Sequence, residues 1–316
     1  METNLREAKA NIEVIGQLSE KTLTKEMKDG KGVIRGNLVI RTSPTNFVTF
    51  NVYANEFKSD GNGGYTKDKN SIYEGMETIM DEYKSIAEFG EEEASWIHVR
   101  NGQISPYVNF NNGRKFEGIR YRSNFFTRLR EGEDINPQAT FEIEMFIESI
   151  LPEYYSQGED VGQETGRILV KGWMPTYSGI EQVVLVAPET IEVDGYETEI
   201  ASAVRDEYEA GQTVIFYGDV INNRITTTET VPVKIGRPKV NIRTKYINEF
   251  IITSASEPKI DDAYDADAIR QAITEREIKL EEAEQKSKNA KAAPSAGNTT
   301  AAANPAQGGG RQIPKF

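Results

Sequence analysis

The sequence predicts a mainly β protein: two tandem five-stranded barrels, each with a helix between strands 3 and 4, then a C-terminal helix and a disordered tail. Three observations predict this architecture. Residues 33–54 alternate apolar and polar side chains on either side of a turn, as a β-hairpin with one buried face does. A segment with helical spacing follows the third predicted strand. The same order of segments recurs between residues 139 and 256.

Composition narrows the classes of function. The 316-residue chain has no cysteine and a single histidine, His98, so disulfides, thiolate metal sites and a histidine-dependent catalytic triad are not expected. It has no apolar run of about 18 residues, the length that a membrane span needs. Its first residues lack the apolar core of a secretory signal. We therefore expect a cytoplasmic protein without a membrane segment, a metal or a cofactor.

The negative charge is concentrated in one part of the chain. The formal net charge is −13. Residues 1–130 hold 19 lysines and arginines against 18 acids, residues 131–260 hold 10 against 23, and residues 261–316 hold 8 against 9. Overall acidity disfavours nucleic-acid binding, but a local basic face can still bind phosphate. Such a face is expected in the first segment.

The first predicted domain covers residues 1–130. Its helix is expected at 71–89, where apolar residues recur at helical spacing. In its last strand the alternation predicts Phe125 facing inward and Phe126 outward. The predicted strands are 11–18, 32–42, 46–57, 95–101 with an extension at 106–110, and 117–129.

The second predicted domain covers residues 131–258 and repeats this order. Its helix is expected at 197–211. The repeat is one of pattern, with low identity, and any two small β domains look alike at this level. Its predicted strands are 139–150, 166–177, 179–189, 212–222 and 244–256.

The outer face of the first hairpin suggests a function. Five strands with a helix between the third and fourth is the order of the oligonucleotide-binding (OB) barrel. The outward residues of 33–54 include two arginines and two aromatic rings and no acid, which suits the phosphates and unstacked bases of single-stranded nucleic acid. The alternative is a half-exposed hairpin with ordinary polar residues. The candidate contacts in this domain are Arg35, Asn37, Arg41, Phe47, Tyr53, Trp96, Arg100, Arg120 and Arg122.

The second domain offers weaker candidates. Its acids would repel a phosphate chain if they share a face with the basic residues, and Trp173 is about as well explained as a packed barrel residue. A basic loop between its last two strands could close over a bound strand, or it could be a solvated hairpin. The candidates are Arg167, Lys171 and Trp173 on one strand, and Lys234, Arg237, Lys239, Arg243 and Lys245 in the loop.

The remainder of the chain predicts a helix and a tail. Residues 259–290 carry only a thin apolar stripe, so this C-terminal helix is expected to be largely exposed. Residues 291–316 are rich in alanine, glycine, asparagine and proline and are expected to be disordered. Their apolar tip, Ile313, Pro314 and Phe316, is a candidate partner-binding segment.

Taken together, these segments resemble single-stranded DNA-binding proteins, in a tandem-barrel version such as a large bacteriophage would encode. The resemblance rests on IEVIGQL, GVIRGNLVIRT and NFVTFNVYANEF, which look like the opening strands of the bacterial proteins. The family's tail ends in acids followed by Ile-Pro-Phe and docks partner proteins. Here Lys315 interrupts that tip and no acid lies beside it.

The resemblance implies a non-enzymatic protein that coats single-stranded DNA during replication or recombination, largely without sequence preference. Its partners would be single-stranded DNA and, through the tail, replication or recombination proteins. The alternatives are a structural or assembly protein, such as a virion component that uses the barrels for protein contacts, and an RNA binder. No phosphate-cradling loop, zinc-protease motif or calcium loop is present in the sequence, although a carboxylate-based nuclease needs no fixed spacing.

Overall fold

The computed structural model describes residues 5–130, 133, 135–193, 195–231 and 239–292. Strands dominate this part of the chain and a helix follows them, so the prediction of a mainly β protein with a C-terminal helix is confirmed. None of the helices in these residues combines the length and the apolar composition needed to cross a membrane.

The elements of the first unit follow the predicted order with local differences. Asn70 caps α1, because its side chain accepts a hydrogen bond from the N–H of Ile72. The predicted helix 71–89 is divided, since the backbone of Tyr83 is extended. The elements are β1 (Ala10–Lys21), β2 (Thr24–Lys28), β3 (Lys31–Arg41), β4 (Phe47–Asn55), β5 (Phe57–Ser59), β6 (Tyr65–Lys69), α1 (Ser71–Glu82), α2 (Ile86–Phe89), β7 (Trp96–Asn111), β8 (Arg114–Arg122) and β9 (Thr127–Arg128).

The second unit has the same order and longer final strands. Its helix is shorter than the predicted 197–211, because β14 occupies the first residues of that segment. The elements are β10 (Gln138–Tyr154), β11 (Glu164–Thr176), β12 (Gly179–Ala187), β13 (Thr190–Val193), β14 (Tyr196–Glu199), α3 (Ile200–Glu207), β15 (Thr213–Val231), β16 (Lys239–Ala255) and α4 (Ala266–Ala292).

Strand pairing forms two closed rings. In the first ring β1, β3, β4, β8 and β7 pair in that order, and β7 pairs back with β1. In the second ring β10, β11, β12, β16 and β15 pair in that order, and β15 pairs back with β10. One pair in each ring is parallel: β4 with β8 in the first and β12 with β16 in the second. These are the third and fifth strands of each ring in chain order, and the other pairs are antiparallel. The rings are joined because β1 also pairs with β10, from Ala10↔Ile143 to Ile15↔Gln138.

The cores follow the predicted alternation, with one correction. In β4 every second side chain, beginning at Val48, is buried. In the segment after β8 the prediction is wrong by one residue: Phe126 is buried and Phe125 is exposed. The strand ends before Ser123, whose hydroxyl accepts a hydrogen bond from the N–H of Phe125 at 3.1 Å. That local turn shifts the alternation, as serine hydroxyls often do in turns.

A buried ion cluster ties the start of the described chain to the second ring. The side chain of Glu144 on β10 is fully buried. Both of its oxygens accept hydrogen bonds from Arg6, at 2.7 Å each, and Lys259 lies 2.5 Å away. Burial raises the pKa of Glu144, but hydrogen bonds from Arg6, Lys259 and the N–H of Lys9 outweigh that effect and lower the pKa to about 2.

This lowered pKa predicts an acid-sensitive fold. The stabilisation from Glu144 is complete above its ordinary pKa of 4.5 and is lost as the pH falls towards 2. Acidification from pH 7 to pH 3 should therefore lower the free energy of unfolding by about 2 kcal/mol. Urea denaturation at the two pH values measures this loss.

Two variants make the measurement specific. Glu144→Gln should be less stable at pH 7 and should lose less stability on acidification than the wild type. Glu148→Gln, at an exposed position of the same strand, should keep the wild-type dependence. Equal pH dependence in the wild type and Glu144→Gln would contradict the assignment.

Candidate nucleic-acid interface

A row of polar side chains crosses the outer face of the first ring. Residues that pair directly across neighbouring strands share a face of the sheet. Four successive pairings therefore align one exposed or half-buried residue from each strand. The row contains one cation and four amides and no acid. In order across β3, β4, β8, β7 and β1 it consists of Asn37, Asn51, Arg122, Gln103 and Asn11.

The middle of this row forms the floor of an open trough of about 660 Å³. Tyr53 and Phe125 present rings that are 54% and 68% exposed. Arg120 and Arg122 supply two positive charges, and no carboxylate lines the trough. We call this surface the basic trough. Its lining is Asn51, Val52, Tyr53, Asn101, Gln103, Arg120, Arg122, Ser123, Asn124 and Phe125.

The arginines of the basic trough form no ion pairs with the described residues. The guanidinium of Arg120 lies over the ring of Tyr107, 4.2 Å from its centroid. Neither Arg120 nor Arg122 has a carboxylate within 4.0 Å among the described residues. Arg100 lies beside the trough, next to Asn101, and its Nε donates to Nδ1 of His98 at 3.3 Å. These cations can therefore bind phosphate without first breaking an ion pair.

The structure brings several of the predicted residues together. Tyr53, Arg120 and Arg122 line the basic trough. Asn37 accepts a hydrogen bond from Asn51 at 2.7 Å and so belongs to the same surface. Arg35 lies opposite Tyr53 on the neighbouring strand. It forms an ion pair with Glu26 at 2.8 Å, but both side chains are exposed, so this pair contributes little to stability.

Three predicted residues of the first ring lie elsewhere. Arg41, Phe47 and Trp96 share a different row, through Gln17, at the other end of the strands. Arg41 is mostly buried, forms an ion pair with Glu91 and donates to Gln17 at 2.8 Å. Trp96 is half-buried. The expectation that all nine candidates lie together in one trough is therefore corrected.

The same row in the second ring has different chemistry. In the first ring Gly102 of β7 pairs with Ile12 of β1, and in the second ring Gly218 of β15 pairs with Phe141 of β10. Aligning these two pairs identifies the residues of the second ring that correspond to the polar row. No cation is present among the five. Across β11, β12, β16, β15 and β10 they are Leu169, Val186, Ile251, Asp219 and Thr140.

Two of the three candidates on β11 make contacts within the protein. Arg167 bridges β11 to β16 across β12, 2.7 Å from Glu249, and also lies 3.3 Å from Glu153. Trp173 is 7% exposed and packs with Ile269 of α4, so the expectation that it offers an open stacking surface is corrected. Lys171 is half-buried on the same strand.

The described part of the predicted basic loop lies in β16 and pairs with β15. Residues 223–231 of β15 and 239–247 of β16 pair beyond the ring, and we call this segment the arm. Arg243 and Lys245 are exposed on one face of the arm. Lys234 and Arg237, the side chain of Lys239, and the tip residues Ile313, Pro314 and Phe316 lie outside the described residues.

The sequence candidates include Asn37 but not the other amide side chains of this surface or the ring of Phe125. Asn51 lies on the outward face predicted for the hairpin of residues 33–54 but is not among the candidates. Asn101 is exposed because β7 bulges between Val99 and Gly102, and a bulge has no period-two signal. Phe125 was assigned to the interior. In the part of the chain that the structure describes, no group of three acidic or histidine side chains could hold a metal ion.

A family model matches most of the chain. Residues 9–286 match the model described as YorF. The chain belongs to the YorF family. The match spans both rings and most of α4, so the two rings of this YorF family member are parts of one family unit. No curated protein matches the sequence.

Several solved structures are similar at low identity. A deletion mutant of the single-stranded DNA binding protein from Thermus aquaticus is 12% identical, with a TM-score of 0.45, over 81% of this chain and 97% of that one. The wild-type Thermus aquaticus protein is 12% identical, with a TM-score of 0.42, over 83% and 98%. A replication protein A heterotrimer bound to ssDNA is 10% identical, with a TM-score of 0.23, over 86% and 70%. Because these TM-scores are below 0.5, the similarity does not itself indicate a shared function.

The contrast between the rings predicts that replacing Arg167 lowers stability whereas replacing Arg122 does not. Arg167→Ala should lower the free energy of unfolding by about 1–3 kcal/mol, because it leaves partly buried Glu249 and Glu153 without their partner. Arg122→Ala should change stability by no more than about 0.5 kcal/mol, because Arg122 is exposed. Urea denaturation measures both.

Binding to single-stranded oligonucleotide should show the reverse order. Arg122→Ala should weaken it and Arg167→Ala should leave it near the wild-type value. The assignment of the interface to the first ring would be contradicted if Arg167→Ala weakened binding more than Arg122→Ala.

Proposed function

We propose that the protein binds single-stranded DNA on the outer face of the first ring. The observation that carries the proposal is the basic trough: two arginines without ion pairs in the described structure, two exposed rings and several amides, with no carboxylate in the lining. Arginines neutralise phosphates, rings stack on bases of any sequence, and amides can hydrogen-bond base edges. Because stacking tolerates every base, sequence preference should be low.

We also propose that each ring is an OB-fold barrel, with domains at residues 1–130 and 131–258. The strand order and the parallel contact between the third and fifth strands support this assignment, since the OB fold is a five-stranded Greek-key barrel that binds oligonucleotides on its strands. The second barrel then serves mainly as a structural partner, because its equivalent row has no cation.

The biological role that fits these properties is a non-enzymatic coat for single-stranded DNA during replication or recombination, in a bacteriophage or its host. Arg243 and Lys245 remain proposed contacts for the DNA strand. The C-terminal tip remains a proposed segment for binding replication or recombination proteins. A matched RNA oligonucleotide that binds more tightly than the DNA would move the proposal to RNA.

The first test of the function is the salt dependence of binding. Titrating fluorescein-labelled oligo-dT at several salt concentrations gives the slope of log K against log salt. Each phosphate contact on a single strand contributes about −0.7, so contacts from Arg35, Arg100, Arg120 and Arg122 predict a slope near −3. Absence of binding, or affinity that ignores salt, would contradict the proposal.

The second test separates charge from stacking. Arg120→Ala combined with Arg122→Ala should make the slope less negative by about 1.4, because two phosphate contacts are lost. Tyr53→Ala combined with Phe125→Ala should leave the slope unchanged and weaken binding by about 1–3 kcal/mol for each ring. Tyr155→Ala, which removes an exposed ring from the second unit, is the control and should bind as the wild type does.

A further inference from the structure

We infer that the base of the arm supplies a second subsite, for a base of the strand that the first ring holds. This inference rests on the proposed function and adds a contact from the second unit. The residues that would form the subsite are Phe47 of β4 and Arg224 and Tyr246 of the arm. None of the arm residues on this face was among the sequence candidates.

The subsite is a groove of about 600 Å³ between β4, β8 and the base of the arm. Tyr246 is 63% exposed, and Phe47 is half-buried and lines the groove. Arg224 pairs with Tyr246 in the β15–β16 register, so the cation and the ring lie on the same face of the arm. The lining is Glu20, Val39, Phe47, Thr49, Glu117, Gly118, Ile119, Tyr121, Asn222, Arg224, Tyr246 and Asn248.

The groove continues the surface of the basic trough. The outward residues of β4 run from Tyr53 and Asn51 in the trough to Thr49 and Phe47 in the groove. At about 3.3 Å per residue the six-residue separation of Tyr53 and Phe47 spans roughly 20 Å. A single strand that follows β4 therefore reaches the base of the arm.

Hydrogen bonds hold the arm in this place. Asn46, at the turn before β4, donates from its amide to the carbonyl of Val220 at 3.0 Å and accepts from the N–H of Asn222 at 2.7 Å. The N–H of Arg224 donates to the carbonyl of Thr45 at 2.8 Å. These bonds fix the arm on the first ring, so the groove exists before any ligand binds.

The chemistry of the groove favours a base over a phosphate. Glu20 and Glu117 line it together with one arginine, and Glu117 is paired with Lys115 at 2.7 Å. The carboxylates disfavour phosphate at that wall, whereas Phe47 and Tyr246 offer flat apolar surfaces. A base can stack between these rings, while Arg224 at the edge binds the adjoining phosphate.

The test compares two lengths of labelled oligo-dT. One of about 5 nucleotides is near the lower limit for a single OB fold and should occupy the basic trough alone, whereas one of about 20 should reach the groove. Tyr246→Ala should weaken binding of the longer oligonucleotide by about fivefold or more, with little change in its salt slope. The shorter oligonucleotide should bind as it does to the wild type.

Matched variants keep the result specific. Tyr246→Phe keeps the ring and should bind the longer oligonucleotide normally. Arg224→Ala should make its salt slope less negative by about 0.7. Tyr196→Ala and Arg205→Ala remove an exposed ring and an exposed cation elsewhere in the second unit and should have no effect.

The outcomes separate the inference from the proposed function. If Arg122→Ala weakens binding of both oligonucleotides but Tyr246→Ala weakens neither, the strand stays within the trough and the subsite is wrong. If the wild type binds neither, the function and the subsite fall together. Photo-crosslinking of the longer strand carrying 5-iodouracil should label Tyr246 or Phe47, and labelling confined to the basic trough would contradict the subsite.

Discussion

The closure of the first ring through β1 is the constraint on which the candidate interface depends. β1 pairs with β3, with β7 and with β10, so one strand both closes the first ring and joins it to the second. Gly16 makes this possible, because a Cβ there would clash with the carbonyl oxygen of Arg41. The register that results places Asn11 opposite Gln103 and completes the polar row. A slip of one residue would turn those side chains inward.

The two rings use one topology for different purposes. The first ring presents four amides and Arg122 along its row, while the matching row of the second ring holds Leu169, Val186, Ile251 and Asp219. In the second ring Arg167 forms an ion pair with Glu249, and Trp173 is buried against α4. In the proposed complex the second ring contributes through the arm, whose base lies at the end of β4. The concentration of acid in this segment is consistent with our proposal that most phosphate contacts come from the first ring.

Much of the fold follows from local pattern, and the site follows less fully. Alternation in residues 33–54 identified both faces of β3 and β4, because period-two burial is a local property. The inversion of Phe125 and Phe126 arises from a serine turn that leaves no periodic signal. Arg41 and Arg167 were chosen for their charge, but their partners Glu91 and Glu249 are distant in sequence and only the closed rings bring them near. Trp173 has the outward parity of a site residue, and only the packing of α4 shows that it is buried.

The central claim is that the strand lies on the outer face of the first ring. The most direct measurement is amide hydrogen exchange by mass spectrometry, with and without saturating oligo-dT. The account predicts slower exchange in peptides covering 47–55, 100–105 and 118–125, with smaller changes at the base of the arm and none in β11 and β12. Protection confined to β11 and β12, or no protection with bound oligonucleotide, would contradict it.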